Sequence, residues 1–272
     1  MRWLLAPFVL VARVVGRLRA ERMAQTVAAL SFATLLGLVP MIAVGVGLMS
    51  HLPYASGMSA ALEKFLLANL LPEKAGVVIA KYLGLFAHRA ERVTLVGLGA
   101  LAATAVMQML TIEHAFNAIW KIKAHRPLLR RVVMHAVALL LGPIVFGASI
   151  GGISFVASAS FGLVDEPAWA RAAVFRVLPI VFMTLLFALL YWAVPNRPVM
   201  RRHALVGGLL AALGFVAMQR LFGVYVANFP AYTVMYGAFA AIPTFLVWIY
   251  LSWGVILFGA LIVAELPRLT KT

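Results

Sequence analysis

Residues 239–265 read FAAIPTFLVWIYLSWGVILFGALIVAE, an apolar run closed by a single carboxylate, Glu265. A helix crossing a hydrocarbon core about 30 Å thick needs roughly 20 predominantly apolar residues. This run exceeds that length, and five further apolar blocks occur at residues 26–50, 93–112, 132–160, 171–194 and 204–227. The expected fold is all-α, a polytopic membrane protein with six transmembrane helices plus short interfacial amphipathic helices. The surplus length in residues 132–160 and 239–265 permits tilt or interfacial ends without fixing an angle.

Composition points the same way. Hydrophobic residues fill 64% of the 272 positions and charged ones only 11%, against about 45–50% apolar in a soluble domain. The polar exterior of a water-soluble protein cannot be built from this chain. The absence of cysteine excludes disulfide frameworks, thiolate metal sites and cysteine nucleophiles. No repeat, low-complexity tract or linker divides the spans, so residues 1–272 read as a single membrane domain.

The formal charge of +15, from 23 Lys and Arg against 8 Asp and Glu, would suggest nucleic acid in a soluble protein. Here it sorts by membrane side. With both termini cytoplasmic, the inner segments carry Arg2, Arg13, Arg17, Arg19 and Arg22; Lys121, Lys123, Arg126, Arg130 and Arg131; Arg197, Arg201 and Arg202; and Arg268 and Lys271. The short outer connections, residues 161–170 and 228–238, contain no Lys or Arg, as short translocated loops should. The longer outer segment, residues 51–92, mixes both signs, and long translocated loops obey the rule weakly. Within it Leu62, Phe65, Leu66 and Asn69 share one helical stripe, and Val78, Tyr82 and Leu85 another, predicting two amphipathic helices.

Residues 1–25 are expected to form a cytoplasmic interfacial helix. Their arginines follow the apolar stretch, where a cleaved signal would carry small residues. Arg13 and Arg17, one turn apart, are expected to reach anionic headgroups.

Three stretches carry a resemblance: AALSFATLLGLVPMIA at residues 28–43, AVPNRPVMRRH at 193–203, and LFGVYVANFPAYTVMYGAFAAIPTFLVWIYLSWGVILFGALIVAE at 221–265. Together they resemble the YihY/BrkB family of bacterial inner-membrane proteins, formerly labelled ribonuclease BN. The resemblance implies six spans with both termini inside and a role in the bacterial envelope. One departure stands out. Family members usually place an acidic residue directly after a Gly-Ala pair near the end of the last span, whereas Gly259-Ala260 is followed here by Leu261. Glu265, one turn further on, either replaces that carboxylate or marks the cytoplasmic interface.

Chemistry argues against the old enzymatic label. Metal-assisted hydrolysis needs clustered His, Asp or Glu, yet His51, His88, His114, His125, His135 and His203 form no HxH or HxxxH pair. The adjacent acids Asp165 and Glu166 fall in an outer loop. Neither a GxSxG elbow nor a Walker motif is present. The expectation is no enzyme, no metal, no cofactor and no nucleic-acid partner.

Candidate functional residues are therefore the polar groups at membrane depth. Arg171, Arg176 and Arg220 on the outer side either form a cationic site for an anionic headgroup or snorkel to the interface. Tyr225 and Tyr236, with Tyr232 and Asn228, line a substrate site or belong to an aromatic belt. Pro40, Pro143, Pro179 and Pro243 fall within apolar runs, where each frees a backbone carbonyl and can bend a helix around a cavity or hinge. On the inner side, Glu113, His114 and Asn117 are expected to pair with Arg130 or Arg131 or to cap the bundle, with Glu265 near the end of the last span and His135 just inside the third. The function expected is a transporter or flippase-like protein acting on a lipid or amphiphile, with membrane lipids as partners. The alternative is a noncatalytic envelope scaffold.

Overall fold

The computed structural model describes residues 2–49, 95–122, 127, 129, 133, 168–228 and 241–269. Six helices occur among them: α1 (Arg2–Ala20), α2 (Met23–Met49), α3 (Leu95–Ile119), α4 (Ala168–Ala193), α5 (Arg201–Asn228) and α6 (Ala241–Leu269). Five of the six expected spans thus appear as helices, and residues 1–25 supply the expected additional one. The expected third span, the amphipathic helices of residues 51–92 and His135 lie outside the described residues, Val133 apart. α5 and α6 are each long and apolar enough to cross a membrane, and α2 and α4 contribute shorter apolar stretches at Met23–Gly37 and Pro179–Ala193.

The chain forms two compact units, one of residues 1–34, 111–126 and 177–272, the other of residues 35–110 and 127–176. In the second, Gly37 lets buried Gln108 come close, since a Cβ at position 37 would sit 3.1 Å from the Gln108 Cγ. The contacts described below all lie in the first unit.

Its core is aromatic. Phe187 of α4 lies 6.0 Å from Phe215 of α5, Phe215 meets Trp248 of α6 edge-on at 5.8 Å, and Phe222 lies 5.1 Å from the same indole. Such tilted and edge-to-face pairs suit the ring quadrupoles. The opposite helix faces are apolar too: Leu205, Leu209 and Leu213 of α5, Val247 and Leu251 of α6, and Val181, Leu185 and Leu189 of α4 are all exposed. A helix apolar on both its buried and its exposed face is one whose solvent is lipid.

Small residues set the helix spacing. A Cβ at Gly207 would strike Val263 of α6, and one at Gly208 would meet the Thr184 carbonyl oxygen and the Ala188 nitrogen of α4. The adjacent glycines therefore serve two neighbours, as expected for close helix contact. Gly259 does the same for α6, where a Cβ would collide with the Tyr191 hydroxyl and the Ala211 methyl. Tyr191, fully buried, fills that space and donates to the Ile256 carbonyl at 2.9 Å. Other hydroxyls within the apolar helices bond back one turn: Ser31 to the Val27 carbonyl, Thr184 to Ile180 and Ser252 to Trp248. Each is satisfied without a partner helix. Thr34 accepts from the Trp253 Nε1 at 2.9 Å, joining α2 to α6.

Candidate functional site

At the C-terminal end of α6, Glu265 is only 1% exposed. A carboxylate buried among apolar side chains must be paired or neutralised. Two arginines meet it. Arg17 of α1 and Arg268 of α6 each donate from Nη1 to Glu265 Oε1 at 2.7 Å. Arg268 is mostly exposed, whereas the Arg17 side chain is 13% exposed, so Arg17 supplies the buried counter-charge.

Arg17 uses the rest of its fork as fully. Its Nε and Nη2 donate to the two carboxylate oxygens of Glu21, at 2.8 and 3.2 Å, a bidentate pairing one helical turn apart. Nη2 also donates to the Ile119 carbonyl at 2.6 Å. That oxygen belongs to the last turn of α3, where carbonyls lack an intrahelical donor and the helix dipole favours a cation. One guanidinium therefore ties together α1, α3 and α6. Burial works against its charge, but hydrogen bonding to and proximity of Glu21, then Glu265, outweigh this and raise its pKa above the ordinary arginine value.

The backbone around the cluster is shaped by two residues in the left-handed region. α3 ends in a Schellman turn, with Ile122 N bonding the Asn117 carbonyl and Lys121 N bonding that of Ala118. Lys121 takes the left-handed position at φ 55°, where glycine is preferred, and its ammonium reaches Glu21 Oε1 at 3.7 Å. Arg22, at φ 49°, turns the chain between α1 and α2 and so aims the Arg17 face of α1 at α6.

One turn before the end of α3 a polar group links to the α4–α5 connection. Glu113 and Asn117 are both buried. The Asn117 amide donates to Glu113 at 3.4 Å and its carbonyl oxygen accepts from the Asn196 backbone N–H at 2.8 Å. The AVPNRPVMRRH stretch is thereby held against α3, and Arg201 stacks over Trp192 at 5.5 Å.

The structure brings the expected inner-side residues Glu113, Asn117 and Glu265 into buried, bonded positions near the ends of α3 and α6. It corrects the expectation for Arg17, which turns inward instead of reaching a headgroup, because the buried Glu265 requires it. Arg13, Arg19 and Arg22 remain exposed. Glu21 carried one legible signal, its i,i+4 spacing from Arg17; no local pattern foretold the partnership with a carboxylate 248 positions away.

The outer-side candidates are less gathered. Arg220 and Tyr225 are exposed on α5, with the Tyr225 ring 6.2 Å from that of Phe222. Arg171 and Arg176 lie on α4 and Pro40 on α2, their side chains outside the described residues, as are Tyr236 and Pro143 altogether. Pro179 lies inside α4. Pro243 stands in the first turn of α6, where a missing N–H removes no helical bond. Among the described residues no group of three His, Asp or Glu could hold a metal ion.

Comparison with known proteins adds a family to this geometry. The family model described as Virulence factor BrkB matches residues 14–272. A UPF0761 membrane protein of Aromatoleum aromaticum is 46% identical over 93% of this chain and 62% of its own length, and one of Azoarcus sp. is 46% identical over 92% and 62%. A third, from Ralstonia nicotianae, is 42% identical over 91% and 56%. The chain thus spans about three fifths of the length of these relatives. No solved structure matches it.

Proposed function

Because this chain belongs to the BrkB family of membrane proteins, we propose that it moves a lipid or other amphipathic envelope component across the membrane, as a transporter or flippase-like protein. The observation that carries this reading is Glu265, 1% exposed and paired to an arginine on a separate helix. An ionised pair is expensive to bury and contributes little to stability over an apolar replacement, which suits a contact that breaks and re-forms between two helices. Arg17 and Glu265 act as a latch that holds α1 against α6 and is released when substrate enters. The chain carries out no covalent chemistry and uses no cofactor.

The same proposal sets six spans in the bacterial inner membrane with both termini cytoplasmic. Support comes from the charge distribution and from the bonds between α1, the end of α3 and the end of α6, with the α4–α5 connection bonded to Asn117. An alternating course places all four on one side of the bilayer.

The test is translocation of fluorescent phospholipids in vesicles reconstituted with the purified chain. Rates above those of protein-free vesicles, increased further by Arg17→Ala, are expected. Rates equal to empty vesicles for both proteins would contradict transport and favour the noncatalytic scaffold.

A further inference from the structure

An open cleft of about 450 Å³ lies between α1, α2 and α6. Met23, Val27 and Leu257, all buried, line its wall, and Gly254 leaves a gap in it, since a Cβ there would meet nothing within 4 Å. Arg19 and Arg22 also line the cleft, both exposed. Arg17, two positions before Arg19, is half-buried and engaged with Glu21, Glu265 and the Ile119 carbonyl, whereas Arg19 and Arg22 are exposed at the cleft. An apolar cleft lined also by two exposed guanidiniums is complementary to a single amphiphile whose head is anionic and whose tail is hydrocarbon. The chain is a membrane protein and α1 is its arginine-rich helix, so that amphiphile is at hand in the bilayer.

We propose that this cleft binds an anionic phospholipid, its acyl chain lying in the Gly254 gap and its phosphate held by Arg19 and Arg22. The site goes beyond the transport reading, because a chain that moves no lipid can still hold one here. Guanidiniums favour the net negative head over a zwitterionic one, and the apolar wall adds a surface for the acyl chain that a free phosphate would leave uncovered. The left-handed φ of Arg22 places its side chain at the joint and makes glycine the substitution that removes the charge without straining the backbone.

Native mass spectrometry of the detergent-solubilised chain, equilibrated with equal phosphatidylglycerol and phosphatidylcholine, tests this directly. Wild type is expected to retain phosphatidylglycerol in preference. The double variant Arg19→Gln, Arg22→Gly should lose roughly twenty-five-fold of that preference, about fivefold for each arginine, while staying monodisperse. Gly254→Leu, which fills the gap, should displace the retained lipid while leaving both arginines in place. Equal retention of the two lipids by wild type, or unchanged phosphatidylglycerol occupancy in either variant, would overturn the site. Loss of the site with wild-type translocation intact would leave the transport reading standing, and retention without translocation would do the reverse.

Discussion

Replacing Arg17 with alanine removes four hydrogen bonds at once: one to Glu265, two to Glu21 and one to the Ile119 carbonyl. The consequence depends on what is left behind. Glu21 is 19% exposed and retains Lys121 at 3.7 Å, so water and that ammonium compensate most of its loss. Glu265 is 1% exposed and, among the described residues, keeps the Arg268 bond, from a side chain that is 58% exposed. Removing one partner of a buried pair costs about 3–5 kcal/mol. Arg268 still covers part of Glu265, so the lower end applies, about 3 kcal/mol, and by the scaling for proteins of this size the thermal midpoint falls by roughly 6–12 °C. Arg268→Ala, removing the exposed partner, should cost about 1 kcal/mol or less. Arg17→Lys keeps the charge but loses the fork, and should fall between the two. The assay is thermal unfolding in detergent followed by monodispersity, run as a double-mutant cycle with Glu265→Gln. The two changes should be non-additive by about 1–3 kcal/mol, as for residues in direct contact. Additive effects, or an Arg17→Ala midpoint within 1–2 °C of wild type, would refute the buried-pair reasoning.

Two further outcomes follow from the packing and the backbone. Gly208→Ala sets a methyl 2.5 Å from the Thr184 carbonyl oxygen, an atom that cannot move aside, and should cost about 1–3 kcal/mol. Gly214→Ala, whose Cβ would meet only the Val255 side chain at 3.3 Å, should be neutral or gain from helix propensity; the two midpoints measured side by side check this. Lys121→Gly relieves a left-handed non-glycine residue at the end of α3, a gain of about 1 kcal/mol, partly offset by the exposed ion pair with Glu21. A raised midpoint for Lys121→Gly is the expected result.

Much of the membrane architecture was legible because lipid imposes a length and an apolar content on each span, and residues 204–227 and 239–265 met both. The amphipathic helix at residues 1–25 was legible for a similar reason, with arginines following an apolar stretch. The site was not. Glu265 read equally well as an interfacial carboxylate, and only the fold reveals that the end of α6 is covered by α1 and the end of α3. Arg17 looked like its neighbours Arg13 and Arg19; its distinction lies in the rotational position of α1, which the left-handed Arg22 sets. The outer arginines attracted attention because isolated charges in apolar runs are conspicuous, whereas the bonded cluster drew its members from residues 17, 21, 119, 121, 265 and 268, a set no local window contains.

The latch is tested most directly by closing it chemically. The chain has no cysteine, so Arg17→Cys with Glu265→Cys introduces one pair of thiols, which a short bifunctional maleimide can bridge. Lipid translocation in reconstituted vesicles is then compared for each single variant and for the bridged and unbridged double variant. Single variants and the unbridged pair should translocate faster than wild type, and bridging should return the rate to that of empty vesicles. Equal translocation with and without the bridge would contradict the account.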